Sequence, residues 1–95
     1  MDEVFEWDTE KARSNRARHG VDFEWASKMF AGPRLEVLDT REDYGEDRYI
    51  SIGEVEGRCL VVVHTPRDGR TRIISARKAT RNEQTRFHQE AYGEG

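Results

Sequence analysis

The side chains best suited to chemistry lie at the ends of two apolar runs, residues 59–65 and 72–80. Bulky aliphatic residues occupy consecutive positions in both runs, which is typical of strands covered on both faces. Between the runs, the pair Asp68-Gly69 can adopt the positive φ values of a tight hairpin. The ends of the runs carry His64, Arg67, Arg72, Arg77 and Lys78. An apolar hairpin with cations at its ends predicts a site for phosphate.

Arg77 is the first candidate to stabilise negative charge in such a site. It directly follows the apolar part of a predicted strand, so it should lie at the rim of the sheet. Arg67, in the neighbouring turn, is the second candidate. The planar fork of an arginine suits the oxygens of a phosphate. Either arginine could instead cap the preceding carbonyls or pair with Glu46.

Three more cations are candidates for binding rather than catalysis. We expect Arg48 and Arg72 to hold flanking phosphates. Lys78 has the opposite parity to Arg77 in a regular strand, so both cannot face one site unless the strand ends or bulges there. We therefore assign Lys78 an auxiliary role.

Proton transfer has three candidate side chains: His19, His64 and Glu46. Histidine has a pKa suited to either an acid or a base near neutrality. His19 ends a predicted helix with few apolar residues, so we expect the inward face to carry Asn15 and His19; a hydrogen-bonded helix terminus is the alternative. His64 ends an apolar strand and could instead be a core aromatic. Glu46 could instead form an ion pair with a neighbouring arginine.

A metal site is not indicated by the sequence. The acidic segment 39–47 resembles a calcium loop only superficially, because Arg41 and Tyr44 stand where a ligand and a glycine are needed. We predict that it connects two strands of a hairpin. Cys59 is the only cysteine, which excludes an internal disulfide and a cysteine-based zinc cluster. We expect no metal and no cofactor.

The charge is distributed unevenly along the 95 residues, whose net charge is −3. Residues 1–57 hold 8 Lys/Arg and 15 Asp/Glu, a net charge of −7, whereas residues 58–95 hold 8 and 4, a net charge of +4. Such asymmetry can give a basic face for a polyanion and an acidic face for a basic partner, although ordinary solvated surface is the simpler interpretation.

The first residues of the chain and its hydropathy indicate where in the cell we expect the protein. The first four residues, Met1–Val4, are acidic and contain no apolar segment of the kind found in a signal peptide. No stretch of 18 apolar residues exists that could span a membrane. We expect a cytoplasmic protein with no membrane contact.

The predicted helices and strands fit an α+β fold in one domain, residues 1–95. Asp8 and Gly20 are predicted to begin and end a first helix, and Thr80 with Glu83 forms a capping box for the last one. Short turns favour antiparallel pairing. The predicted elements are an edge strand at 5–7, helices at 9–18 and 22–30, strands at 35–38 and 48–52, a turn at 53–57, the central hairpin, and a helix from 80 to about 92.

Four ordered motifs coincide in this sequence. They are Phe5-x-Trp7-Asp8-x2-Lys11-x3-Asn15-x3-His19-Gly20-Val21-x-Phe23, Glu46-x-Arg48-Tyr49-x2-Ile52-Gly53, Leu60-x-Val62-x2-Thr65-x-Arg67, and Arg72-Ile73-Ile74-Ser75-Ala76-Arg77-Lys78-Ala79-Thr80-x2-Glu83. Together they resemble the BrnT family, the ribonuclease toxins of bacterial type II toxin–antitoxin systems. The resemblance runs from about residue 5 to residue 87. Two positions depart from it: Phe87, where many relatives have tyrosine, and His64, where an aromatic residue is common.

The resemblance implies a RelE-like fold, with an antiparallel sheet of about four strands plus a short N-terminal strand. Two N-terminal helices would pack on this sheet, and a C-terminal helix would follow it. It also implies metal-independent RNA cleavage that inhibits translation, and neutralisation by a BrnA-type antitoxin with a ribbon-helix-helix part. Operator DNA would be contacted only through the antitoxin in a hetero-oligomer.

A second function fits the same sequence. The chain could be a non-catalytic, toxin-like subunit of a DNA-binding autorepressor complex, since the same fold and interface would serve both. A metal-dependent nuclease is a weaker alternative, because the sequence shows no convincing constellation of carboxylates and histidines.

Overall fold

The computed structural model describes residues 3–93, so the two outermost positions at each end of the predicted domain lie outside the described residues. Within that range, helices and strands combine into the predicted α+β class. The strands are β1 (Phe5–Glu6), β2 (Arg34–Leu38), β3 (Tyr49–Val55), β4 (Arg58–Arg67) and β5 (Arg70–Lys78), and the helices are α1 (Thr9–His19), α2 (Phe23–Ser27) and α3 (Arg81–Tyr92). None of the helices in residues 3–93 is long and apolar enough to cross a membrane.

One five-stranded sheet carries the fold, in the order β1-β5-β4-β3-β2. Strands β2 to β5 form an antiparallel meander, and β1 adds to the edge of β5 in parallel. This arrangement confirms the four predicted antiparallel strands and the short N-terminal edge strand. The central strand is β4, and both of its faces are largely buried, as the unbroken apolar run predicted.

Two tight turns connect the central strands. Asp68 and Gly69 have φ values of 53° and 77°, the positive pair that a two-residue hairpin requires, so the predicted turn is confirmed. The turn predicted at residues 53–57 is reduced to Glu56 and Gly57, because β3 continues through Gly53. A Cβ at Gly53 would lie 2.5 Å from the Met29 side chain, which packs closely over this strand.

The predicted ends of α1 are confirmed. The Asp8 carboxylate accepts a hydrogen bond from the backbone N–H of Lys11, and Gly20 ends the helix with a φ of 70°. The prediction that the inward face of α1 carries both Asn15 and His19 is correct for only one of the two residues. Asn15 is buried, but His19 is exposed, because the last turn of α1 lies over the outer part of β5 beside Ile74.

The second predicted helix is interrupted. Helix α2 ends at Ser27, and a 3₁₀ turn over Lys28–Ala31 replaces its predicted last part. Asp22 stands at the N-cap position, but its side chain makes no capping hydrogen bond. The capping box of Thr80 and Glu83 at the start of α3 is present as predicted.

The two faces of the sheet are covered by different helices. The first, here called the helix face, packs against α1, α2 and the 3₁₀ turn, with Phe23, Met29 and Leu60 in its core. The second, called the open face, receives α3, whose Phe87 packs with Ile52, Cys59 and Val61. Because α3 covers only that part, the remaining strand residues of the open face stay accessible.

Candidate functional site

The accessible part of the open face contains a cavity of about 330 Å³, here called the basic cleft. Its floor is a patch of small and aliphatic side chains on three neighbouring strands. Its walls come from α1, from the loop between β2 and β3, and from the end of β5. The floor is formed by Ile50, Val61, Val63 and Ser75, and the walls by Arg18, His19, Arg41 and Arg77.

Strand register explains why these side chains meet. Ile50 pairs with Val63, and Val63 pairs with Ser75, so one row of side chains crosses three strands. A bulge lies at this point, because Val63 pairs with Ser75 while the next residue, His64, pairs with Ile73. The bulge re-aims the following residues of β5. Arg77 pairs with Val61 and therefore reaches the cleft.

Arg77 is fixed by a bidentate ion pair with Glu83. Its two terminal nitrogens donate to the two carboxylate oxygens of Glu83 at 2.8 and 2.9 Å. These hydrogen bonds raise the pKa of Arg77 and lower the pKa of Glu83 to about 2. Glu83 also accepts from the backbone N–H of Thr80 at 2.8 Å. The start of α3 therefore holds Arg77, while 41% of the arginine side chain stays exposed.

Arg41, on the wall formed by the β2–β3 loop, is held by the carboxylate of Asp39. Its side chain donates to both oxygens of Asp39 at 2.8 and 2.7 Å, and Tyr44 donates to the same carboxylate at 3.1 Å. The Arg41 guanidinium keeps the pKa of the buried Asp39 carboxyl far below its usual range. Arg41 itself remains 66% exposed and lies close enough to Arg77 to oppose part of the rise in its pKa.

Asn15 positions the last turn of α1, which supplies Arg18 and His19. The Asn15 amide donates to the carbonyl of Ala76 at 2.8 Å and accepts from the N–H of Ala76 at 3.1 Å, as a neighbouring strand would. It also donates to the carbonyl of Val21 at 3.1 Å. These buried bonds hold α1 beside β5 at the residue before Arg77.

The cleft is chemically suited to an anion. Three arginines and one exposed histidine line it together, and two of the guanidinium groups are held in place by carboxylates. Guanidinium forks match phosphate oxygens, and an imidazole can exchange a proton near neutral pH. Arginines are poor ligands for a divalent cation. In residues 3–93 no group of three or more His, Cys, Asp or Glu side chains is arranged to hold a metal ion.

His64 is not brought to the cleft. It is 6% exposed and lies on the helix face, edge-on to Phe30 and stacked with Tyr49. Its Nε2 lies 2.7 Å from the hydroxyl of Ser51 and 3.5 Å from a carboxylate oxygen of Glu36. Burial lowers the pKa of His64, although Glu36 opposes this effect. These contacts match the core aromatic that was the alternative for this residue.

Glu46 and Arg48 pair with each other outside the cleft. Arg48 donates from Nε to the Glu46 carboxylate at 2.9 Å, and its guanidinium lies 4.2 Å from the centre of the Tyr44 ring. This ion pair is the alternative considered for Glu46. The structure places the two residues on the β2–β3 loop and does not bring them to Arg77.

Arg67 and Arg72 lie at the far end of the hairpin. Arg67 is exposed and pairs in register with Arg70, whereas Arg77 pairs with Val61. Six residues of extended chain separate the two positions on β4, or roughly 20 Å. Arg72 donates to Glu6 at 2.9 Å and so ties β5 to β1. Neither arginine lines the cleft.

Lys78 lines a different cavity, as its parity predicted. This cavity, of about 490 Å³, lies between the end of α1, α2, the β3–β4 turn and the start of α3, and Trp25 and Arg58 also line it. Of the eight predicted site residues, the cleft therefore brings together Arg77 and His19.

Two wall residues were missed by the sequence interpretation. Arg18 precedes His19 in the last turn of α1, and this adjacency was the available signal. Arg41 was considered only as a residue that excludes calcium, and nothing local indicates that its loop reaches the open face. Glu83 was assigned to the capping box, and its second role became visible only through its contact with Arg77.

One protein-family model matches residues 7–83, which is 77 of the 95 positions and includes every wall residue of the cleft. Its description is "Ribonuclease toxin, BrnT, of type II toxin-antitoxin system". A comparison with curated proteins found no match.

Proposed function

The chain belongs to the BrnT family of ribonuclease toxins of type II toxin–antitoxin systems, and on that premise we propose that its basic cleft cleaves RNA without a metal ion. The observation that supports this proposal is that three arginines line one cavity together with the exposed His19. RNA carries both the phosphate that such a set binds and the internal 2′-hydroxyl that can attack it.

The proposed reaction is attack of the ribose 2′-oxygen on the adjacent phosphorus, with loss of the 5′-oxygen. Arg77 and Arg41 stabilise the charge that develops on the phosphorane, and Arg18 binds a neighbouring phosphate. One well-aimed donor of this kind contributes about 3–4 kcal/mol to lowering the barrier. His19 transfers a proton, either from the 2′-oxygen or to the leaving oxygen, which contributes about 10²–10⁴-fold.

The ion pair of Arg77 with Glu83 fits this reaction. Glu83 holds the guanidinium at the rim of the cleft while part of the side chain stays exposed to an incoming phosphate. A preorganised donor costs little reorganisation when the charge develops. Glu83 thus acts through Arg77 as a positioning residue.

The proposed partner is a BrnA-type antitoxin with a ribbon-helix-helix part, which binds this chain in a hetero-oligomer in the cytoplasm. Operator DNA is reached only through that partner. The acidic half of the chain supports an interaction with a basic protein segment.

A non-catalytic subunit of a repressor complex is the second candidate. One observation favours it: Arg77 and Arg41, the two best phosphate donors of the cleft, already bind carboxylates. In that case the ion pairs would be structural and the cleft would not process RNA.

Expression without the antitoxin distinguishes the two functions. We expect the unmodified chain to inhibit growth and Arg77→Ala to relieve that inhibition, with cleavage lowered about 10²–10³-fold. Arg67→Ala is the matched control, since it removes the same side chain from the hairpin end outside the cleft. Arg77→Lys should restore little, because a point charge does not reproduce the fork.

The fold of Arg77→Ala has to be checked by circular dichroism and thermal melting. The pair with Glu83 is partly exposed, so its loss should cost only about 0–1 kcal/mol of stability. Unfolding of the variant would make Arg77 structural. Equal toxicity of Arg77→Ala and the unmodified chain would remove Arg77 from the active site, whereas no growth inhibition by the unmodified chain would leave the non-catalytic function in its place.

A further inference from the structure

Strand β2 forms an open edge of the sheet. Its only strand neighbour within residues 3–93 is β3. In an antiparallel pair, opposed residues alternate between exchanging hydrogen bonds and exchanging none. The backbone N–H of Asp39 donates to the carbonyl of Arg48 at 2.7 Å, which fixes this alternation. The backbone groups of Leu35 and Val37 therefore form hydrogen bonds to β3. Those of Glu36 and Leu38 point away from β3, outward from the edge of the sheet.

Two large apolar side chains are exposed along the same edge. Val37 is 47% exposed and Leu38 is 49% exposed, and they are two of the four exposed large hydrophobic residues in the described range. Adjacent strand residues point to opposite faces of a sheet. A strand added at this edge would therefore have an apolar contact on each face.

The surroundings of this edge are strongly acidic. Residues 36–47 contain six Asp or Glu and one Arg, a net charge of −5. Asp39 and Glu46 are neutralised by ion pairs with arginines. Within residues 3–93, the carboxylates of Glu42, Asp43 and Asp47 form no ion pair, so their charge remains available to a partner.

We propose that the β2 edge receives an extended, basic segment of the antitoxin as a sixth strand of the sheet. The partner's identity rests on the proposed function, whereas the edge, its outward backbone groups and its charge come from this chain. Main-chain hydrogen bonds supply affinity in strand addition, and pockets for alternate side chains supply specificity. Basic side chains of the added strand would pair with the acidic loop that follows β2.

Other occupants fit this edge less well. RNA would be repelled by the acidic loop, and it is matched instead by the cations of the cleft. A second copy of this chain, paired edge to edge, would bring two acidic segments of the same composition together. The opposite edge of the sheet is the two-residue strand β1, which is too short to take up an extended segment.

Amide hydrogen exchange of the chain, alone and with purified BrnA-type antitoxin, tests the geometry residue by residue. We expect exchange at Glu36 and Leu38 to slow at least about tenfold on binding, since their N–H groups gain partners. Leu35 and Val37 serve as internal controls, because their N–H groups already bond to β3. Binding with unchanged exchange at Glu36 and Leu38 would overturn the proposal.

Two substitutions at one position separate the backbone from the side chain. Leu38→Pro removes the outward N–H without breaking the β2–β3 ladder, because proline is tolerated on an edge strand. Leu38→Ala keeps the N–H and removes the apolar contact. We expect Leu38→Pro to weaken antitoxin binding roughly tenfold or more and Leu38→Ala to weaken it less.

Both variants should still inhibit growth, because Leu38 lies outside the basic cleft. Loss of neutralisation with retained toxicity supports the proposal. Equal binding of Leu38→Pro and the unmodified chain overturns it and leaves the ribonuclease function intact. Failure of the antitoxin to bind the unmodified chain overturns the partner and the edge assignment together. A dimer of the chain alone that Leu38→Pro disrupts would assign the edge to a second copy instead.

Discussion

At the scale of single residues, the two histidines that were equal candidates for proton transfer have opposite environments. His19 is exposed in the basic cleft, and His64 is buried on the other face of the sheet. The Nε2 of His64 forms a hydrogen bond with the hydroxyl of Ser51, and its ring packs against Phe30. Burial favours the neutral form of a histidine, so His64 is suited to the core, and our proposal assigns proton transfer to His19.

His19→Ala should therefore lower the cleavage rate by about 10²–10⁴-fold and remove the limb of the pH–rate profile near neutrality. His64→Ala is the comparison, and it should lower the melting temperature while the folded fraction keeps that limb. Cleavage rates measured from about pH 5 to about pH 9 on both variants check this, a range that includes the ordinary histidine pKa of about 6.5. If His64→Ala removed the limb and His19→Ala kept it, the assignment would be reversed.

The Glu83 carboxyl should make stability depend on acid pH. Its pKa in the folded chain is about 2, against an ordinary value of 4.5, because Arg77 donates to it. A lowered folded-state pKa stabilises the fold above the ordinary value, and this stabilisation is lost as the pH falls through the folded value. Urea unfolding should show the advantage of the wild type over Glu83→Gln shrinking from pH 4.5 to about 2. A constant difference across that window would exclude this linkage.

At the scale of elements, α1 is an unusual helix, because its one buried residue is the polar Asn15. Most helices pack through an apolar stripe. Here the side-chain amide replaces that stripe with hydrogen bonds to Ala76 and Val21. These bonds fix the position of the last turn of α1 relative to the end of β5. They thereby position the wall of the basic cleft that this turn supplies.

Asn15→Ala should cost about 2–4 kcal/mol in the free energy of unfolding, since it leaves buried backbone groups of Ala76 without partners. Ser14→Ala, at an exposed position of the same helix, is the control and should change stability little. Denaturant unfolding of the two variants gives the comparison. A loss of less than about 0.5 kcal/mol for Asn15→Ala would mean that water replaces the amide.

The elements also show what sequence alone could predict. Local signals sufficed for the caps at Asp8 and Thr80 and for the turn at Asp68, because the residues that decide them are neighbours in the chain. The cleft depends on contacts between distant elements, so its composition was only partly predicted. Arg77 and His19 were named, but so was Arg67, which lies on the same hairpin as Arg77 at its other end.

At the scale of the whole molecule, basic and acidic side chains form two separate surfaces. This division does not follow the two halves of the chain, because Arg18 and Arg41 of the basic cleft lie in the acidic half. The basic cleft lies on the open face between α1, the β2–β3 loop and the end of β5. The acidic segment 36–47 follows the free edge of the sheet. On our proposals, substrate and antitoxin recognise opposite charges, and the β2–β3 loop joins their sites because it carries Arg41 as well as the acidic residues.

The most direct test of the central proposal is cleavage, in EDTA, of a defined RNA and of the same RNA with one 2′-deoxy nucleotide at the cut site. We predict that the unmodified RNA is cut and leaves a 2′,3′-cyclic phosphate or its 3′-phosphate product, and that the substituted RNA resists. This follows because the 2′-oxygen is the nucleophile, whereas a two-metal site activates water. Cleavage of the 2′-deoxy RNA, a 3′-hydroxyl product, or loss of activity in EDTA would contradict the account.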